Sequence, residues 1–194
     1  SIKGNLTIST LNHKVEVVRD DKGVPHISAK SLHDLYVAQG FVTAQDRLFQ
    51  MDLSRRQASG QLSEIIGDAT VERDSYFRTL GLRRAAEASY SKYDKNGKNV
   101  LNWYAEGVNA YIKYAIKENK LPVEFKILQY KPTKWTAIDS LVIGKYMAFD
   151  LGGHWNEQAF RYYAMNKFPK DKALELFPTN NDIDPYIIPS NTSK

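Results

Sequence analysis

The chain has no cysteine. That excludes disulfides, a thiolate-based zinc site and a cysteine nucleophile, but it leaves the compartment open, because many larger secreted enzymes manage without disulfides. No apolar run approaches the roughly 20 residues that a spanning helix needs. The opening Ser1-Ile2-Lys3-Gly4 lacks the apolar core of a signal peptide, and the expectation is that any such signal has been removed. One-sided charge is lacking too: 27 Lys and Arg are interspersed with 22 Asp and Glu, so the net +5 forms no basic block of the kind that nucleic-acid binding favours. There is no Gly-x-Ser-x-Gly elbow, no phosphate-cradling glycine loop and no dinucleotide fingerprint. His13, His26, His33 and His154 follow no zinc-binding spacing and read as structural. Internal repeats, low-complexity tracts and a convincing linker are also absent.

What is present is a short extended region followed by a succession of amphipathic helices, with enough apolar residues (42%) for one sizeable core. Val15-Glu16-Val17 alternates as a half-buried strand does, Asp20-Asp21-Lys22-Gly23 supplies turn chemistry, and Val24-Pro25-His26-Ile27 resumes an extended run, which together predict a hairpin. Ser31 and Asp34 form a capping-box pair ahead of a long helix in which Phe41, Ala44, Leu48 and Met51 share a face and which Gly60 stops. Further helices are predicted from Leu80 to Tyr90 and around Val100, Tyr104, Val108, Tyr111 and Ala115. Thr136 and Asp139 cap another, which runs toward Leu151 until Gly152-Gly153 interrupts it. Trp155 to Phe168 reads as helix, Asp171 to Phe177 as a short one closed by Pro178, and Thr179 to Lys194 as a polar extended tail. The expected organisation is a single unit over residues 1–194: extended over 1–30, a helical layer over 31–177 and a tail over 178–194. Two strands are too few for a complete sheet, so the helical faces want a partner surface.

Catalytic groups are scarce. An N-terminal serine can act as nucleophile with its own α-amine as base, but Ser1 leads a polar segment with Lys3, Asn5 and Thr7, whereas such a nucleophile belongs at the buried end of a central strand beside oxyanion donors. Asp46-Arg47 and Asp52 with Arg55-Arg56 could bind an acidic group, yet this spacing on a helix more often makes an internal ion-pair network. Two readings of other classes remain: a basic helical module whose Lys131, Lys134 and neighbouring aromatics contact nucleic acid, and a calcium-dependent interaction domain without enzymology.

The segment over residues 17–67 carries Arg19-Asp20, Gly23-Val24-Pro25-His26-Ile27, Asp34-Leu35, Gln39-Gly40, Ala44-Gln45-Asp46-Arg47-Leu48-Phe49-Gln50-Met51, Arg55-Arg56 and Glu64 through Gly67. Over these spaced positions it resembles the opening of the penicillin acylase family of N-terminal nucleophile hydrolases. Tyr104-Ala105-Glu106-Gly107-Val108-Asn109-Ala110-Tyr111, Pro132-Thr133-Lys134-Trp135 with Asp139, and the stretch from Met147 to Glu157 are similar as well, and the resemblance fades over 68–98 and after about 165. It implies an α+β fold class: a mostly helical α chain that completes an αββα N-terminal nucleophile hydrolase fold with a larger β chain cut from the same secreted precursor. The implied chemistry is N-acyl amide hydrolysis by the first residue of the β chain, with no catalytic residue on this one. The implied substrates are penicillins of the phenylacetyl type, or related N-acyl compounds such as acyl-homoserine lactones. The α chain's share is the acyl pocket, at Met147, Phe149, Asp150 and Leu151, and one ligand, Glu157, to a structural calcium ion. Asp150-Leu151 stands where the penicillin G branch has an Arg-Phe pair, removing an aromatic wall and reversing a charge.

Overall fold

The structure, a computed structural model, describes residues 4–153 and 155–177. Its contacts divide the chain into two compact units, Ser1–Ala148 and Phe149–Lys194.

The first unit opens with the predicted hairpin. Strands β1 (Glu16–Arg19) and β2 (Pro25–Ser28) pair antiparallel with Val17 opposite Ile27. The turn is held by Asp20, whose carboxylate accepts the backbone N–H of Lys22 at 3.0 Å and of Val24 at 2.8 Å, while Gly23 takes the left-handed φ of 79°. Arg19 then fastens the hairpin to the following helix, donating to both carboxylate oxygens of Asp46 (2.7 and 2.9 Å), to Gln45 and to the Gly23 carbonyl.

Helix α1 (Leu32–Ser59) starts at the predicted cap, where the Ser31 hydroxyl accepts the Asp34 N–H, and ends at Gly60 in the left-handed region, whose N–H returns to the Arg56 and Gln57 carbonyls. Its 28 residues are bent at Arg47, which has non-helical backbone angles. Helices α2 (Ser63–Ile66), α3 (Val71–Leu80) and α4 (Leu82–Lys92) follow, with a 3-10 turn at Asp68–Thr70. The helix predicted to begin at Leu80 begins instead at Leu82, because Gly81 adopts a φ of 74° and closes α3 with its N–H on the Phe77 carbonyl. α3 itself carries no strong apolar period, and its buried Asp74 works by capping, accepting the N–H groups of Leu62 (2.9 Å) and Ser63 (2.8 Å) at the start of α2.

Helix α5 (Lys95–Lys117) packs along α1 and builds the main core of Phe41, Ala44, Leu48, Met51, Val108, Tyr111, Ile112, Phe125 and Trp135. The crossing is close because both helices present glycine: a Cβ on Gly40 would lie 3.0 Å from the Tyr104 carbonyl carbon, and one on Gly107 would lie 2.8 Å from the Phe41 nitrogen. The short helix α6 (Val123–Ile127) buries Phe125 and carries too few residues to show a period. α7 (Ala137–Leu151) begins at the predicted Thr136–Asp139 box, with the Thr136 N–H donating to Asp139 at 2.7 Å.

The second unit holds α8 (Trp155–Lys167) and α9 (Lys170–Glu175), each close to its expected position. Among its described residues only Ala164 and Ala173 are buried. His154, Pro178 and the tail to Lys194 lie outside the described residues. The mostly helical architecture and the two-stranded hairpin accord with the sequence reading.

Candidate functional site

Two polar centres organise the first unit; the first is closed, and the second borders a cleft of about 300 Å³ between Arg55, Arg56, Arg83 and Asp139. The first surrounds Asp34, fully buried at the start of α1. Its carboxylate accepts the Asn12 N–H at 2.8 Å, the Ser31 hydroxyl at 2.9 Å, and ring Nδ1 of His13 at 2.9 Å and of His33 at 3.1 Å. Burial alone would raise the Asp34 pKa, but the Asn12 N–H, the two histidines and Ser31 outweigh it, and the group is held far below the usual carboxylate range. Two of the four sequence histidines are thus structural partners of one carboxylate that pins the N-terminal arm to α1. His26 similarly sits 3.2 Å from Asp20 in the hairpin turn.

A depressed folded-state value means that Asp34 contributes stability above its unfolded titration range, and that the contribution falls away as pH drops below it. Comparing wild type with Asp34→Asn by urea midpoint, we expect a large gap at pH 7 that narrows below about pH 4, where the unfolded carboxylate titrates. A gap independent of pH would remove the charge from this account.

The second centre is the pair of arginines that the sequence offered as an anion site. Both are buried and paired with carboxylates. Arg55 donates to Asp52, to the Thr133 carbonyl (3.0 Å) and hydroxyl (2.8 Å), to the Lys134 carbonyl (3.0 Å) and to Asp139 (3.4 Å). Arg56 donates to Asp52 (2.9 Å) and Glu64 (2.7 Å), and Arg83 reaches the other oxygen of Asp139 at 3.1 Å. The Tyr130 hydroxyl completes Asp52 at 2.9 Å; burial and then the Asp52 charge drive its pKa well above the ordinary phenol value. This is an internal network that bolts residues 130–139, and with them the start of α7, to α1. The sequence suggested the Asp52 half of it, but Asp139, 84 residues from Arg55, could not be read from local spacing.

The same network takes Trp135 out of the nucleic-acid reading. Trp135 is 2% exposed, its ring lies under the Arg55 guanidinium at 5.0 Å, and its indole N–H donates to Ser140, so it offers no face to a base. A cleft of 510 Å³ beside the hairpin, lined by Leu6, Ile8, Val17, Phe41 and Tyr114, has no serine, threonine, histidine or carboxylate in its lining, and its Tyr114 hydroxyl accepts from Lys120 at 2.8 Å.

The residues expected at the acyl pocket lie on the last turns of α7. Met147 and Leu151, four apart, share a side of the helix and are both exposed, Leu151 to 75%. Asp150 is exposed beside them, whereas Phe149 is half-buried and about 200° round the helix from Met147. The helix geometry therefore groups Met147, Asp150 and Leu151 and sets Phe149 apart. Glu157 stands exposed in the first turn of α8, a hard oxygen donor of the type calcium takes, and among the described residues no three carboxylate or imidazole groups gather to complete a metal site.

The profile of the penicillin amidase family matches residues 14–193. The chain belongs to this family. It is 34% identical over 188 residues to the penicillin acylase 2 proenzyme of Pseudomonas sp. strain SE83, covering 97% of this chain and 24% of that protein. It is also 34% identical over 175 residues to the acyl-homoserine lactone acylase QuiP of Pseudomonas aeruginosa, covering 90% of this chain and 20% of that one. Among solved structures it resembles the thermostable penicillin G acylase of Alcaligenes faecalis, with a TM-score of 0.73 at 29% identity over 91% of this chain and 97% of that chain. This penicillin amidase family chain therefore spans about a quarter of the length of the curated relatives it matches, but nearly the whole of the chain in that solved structure.

Proposed function

We propose that this chain is the small, noncatalytic subunit of an N-acyl amidohydrolase. The observation that carries the proposal is the contrast in coverage: about a quarter of a proenzyme, but 97% of a single chain in the Alcaligenes acylase structure. A segment that stands as a chain of its own in a relative fits a precursor cut into two. Among the described residues no serine or threonine hydroxyl is hydrogen-bonded to a histidine, Ser31 and His13 both going to Asp34, which fits a companion β chain that carries the nucleophile, its α-amine as base and the oxyanion donors. The subunit's own contribution is to wall the acyl pocket with Met147, Asp150 and Leu151, with Phe149 behind them, and to offer Glu157 as one calcium ligand. Secretion belongs to the same reading; among the described residues no helix is long and apolar enough to cross a membrane.

Penicillin and acyl-homoserine lactone acylases resemble the chain equally at 34% identity, so hydrolysis of a penicillin side-chain amide and of an aliphatic N-acyl lactone stand side by side. The aliphatic Leu151 at the helix end favours an alkyl acyl group. The test is to purify the protein from its complete gene, weigh its chains and assay a phenylacetyl anilide against an N-acyl homoserine lactone. A second, larger chain with hydrolysis of either substrate supports the proposal; a single chain without amidase activity overturns it. Calcium measured in the same preparation should fall in Glu157→Gln if that carboxylate is a ligand, and an unchanged content would remove the assignment.

Leu151→Phe in the assembled enzyme is expected to raise the ratio of kcat/KM for aromatic over aliphatic acyl substrates, roughly tenfold if the new ring contacts the acyl group, since one good apolar contact is worth about 1 to 3 kcal/mol. An unchanged ratio would place Leu151 outside the pocket.

A further inference from the structure

Helix α8 carries a second feature that the pocket and the metal ligand do not use. Trp155, Ala159, Tyr162 and Tyr163 recur at i, i+4, i+7 and i+8, the spacing of a core-facing stripe about 100° wide. All four are exposed, Tyr162 to 74%, and the helix's one buried residue, Ala164, lies on the opposite side. The stripe contains no charged residue; Asn166, at i+11, falls inside its arc with its amide turned back onto the Tyr162 carbonyl at 2.8 Å, and the tyrosines and tryptophan are the types enriched where one protein docks on another. Phe168, Leu174 and Leu176 are exposed nearby in sequence, so the second unit, with two buried alanines, has no apolar core among its described residues. Ordering a helix pair costs more conformational entropy than two alanines return.

A membrane surface fits this stripe poorly. Interfacial helices carry Lys and Arg along the polar face, whereas the polar positions outside the stripe here are Asn156, Glu157, Gln158, Arg161 and Lys167, mixed in sign and partly uncharged. Three quarters of the length of the curated proenzyme relative lies outside the matched region, which supplies a protein partner of sufficient size.

We infer that the Trp155–Ala159–Tyr162–Tyr163 stripe is the docking face for the companion chain, so that α8 is a core helix of the two-chain enzyme and not a surface helix of this subunit. The inference rests on the two-chain reading and deepens it. Glu157 lies about 120° round the helix from Tyr163 and about 160° from Trp155, so a companion that also completed its calcium site would have to grip α8 from well-separated sides.

The test places a photo-crosslinking benzoylphenylalanine at Tyr162 in the protein expressed from its complete gene, with the same probe at the exposed Lys117 of α5 as control. Irradiation is expected to join the two chains covalently from position 162, giving a product whose mass is the sum of both and whose linked peptide maps to the larger chain, with loss of that product when the probe is at 117. A Tyr162→Asp variant, expected to reduce recovery of the two-chain enzyme, and a Tyr162→Phe variant, expected to retain it, give an independent readout. Crosslinks from 162 into this chain itself or into a second copy of it, or no crosslink in a preparation that contains both chains, would overturn the inference while leaving the two-chain reading intact. A preparation containing one chain only would instead sink that reading and, with it, this inference.

Discussion

Alanine at Gly107 is expected to destabilise the protein by at least about 3 kcal/mol, the upper part of the range for overpacking. In an exposed helix the same exchange would stabilise by up to about 1 kcal/mol, because glycine is the poorer helix former. The clash decides the sign here. A Cβ at position 107 would press on the Val37 carbonyl and lie 2.8 Å from the Phe41 nitrogen, all backbone atoms of α1, which cannot turn aside as a side chain could. The helices must separate, and the core between them, including Val108 and Leu48, opens with them. Gly40→Ala meets the Tyr104 carbonyl from the other side and should act in the same direction. Urea midpoints of the intact protein measure both, and a midpoint that stays or rises in Gly107→Ala would show that the helices do not cross so closely.

Asp52→Ala is expected to cost about 4 kcal/mol, within the range for breaking a buried ion pair from one side. The carboxylate is 1% exposed and serves Arg55, Arg56 and Tyr130 at once, so its loss leaves two buried guanidinium groups short of charge and a phenol short of an acceptor. Asp52→Asn keeps the shape and one acceptor oxygen and should cost less. The check is the urea midpoint again, with added salt: a screened surface pair would weaken as salt rises, whereas this pair should show little salt dependence.

Most of the frame was legible because its signals are local. The Ser31–Asp34 and Thr136–Asp139 boxes, the Gly60 stop and the face shared by Phe41, Ala44, Leu48 and Met51 each span a few residues and obey one period. What could not be read depends on partners far along the chain. Asp34 looks like an ordinary cap residue until Asn12 and His13 fold back onto it, and α3 has no period because its chief task is to bring Asp74 to the start of α2. The split between Leu80 and Leu82 turns on the backbone conformation of one glycine. At the candidate pocket, the family resemblance implied four neighbouring residues, Met147, Phe149, Asp150 and Leu151, without choosing among them, and helix geometry separates Phe149 from the rest. The α8 stripe was visible as helix, but its exposure is a property of the folded chain.

The Asp139 anchor and Met147, the first of the proposed acyl contacts, sit on one helix, separated by about 12 Å at the ordinary rise per residue. A rod fixed at one end transmits position to the other without asking anything of the residues there. In the proposed reading, mutations at Met147, Asp150 or Leu151 can therefore accumulate and retune the accepted acyl group while the scaffold keeps its shape, so related enzymes could diverge in diet without first having to solve folding again.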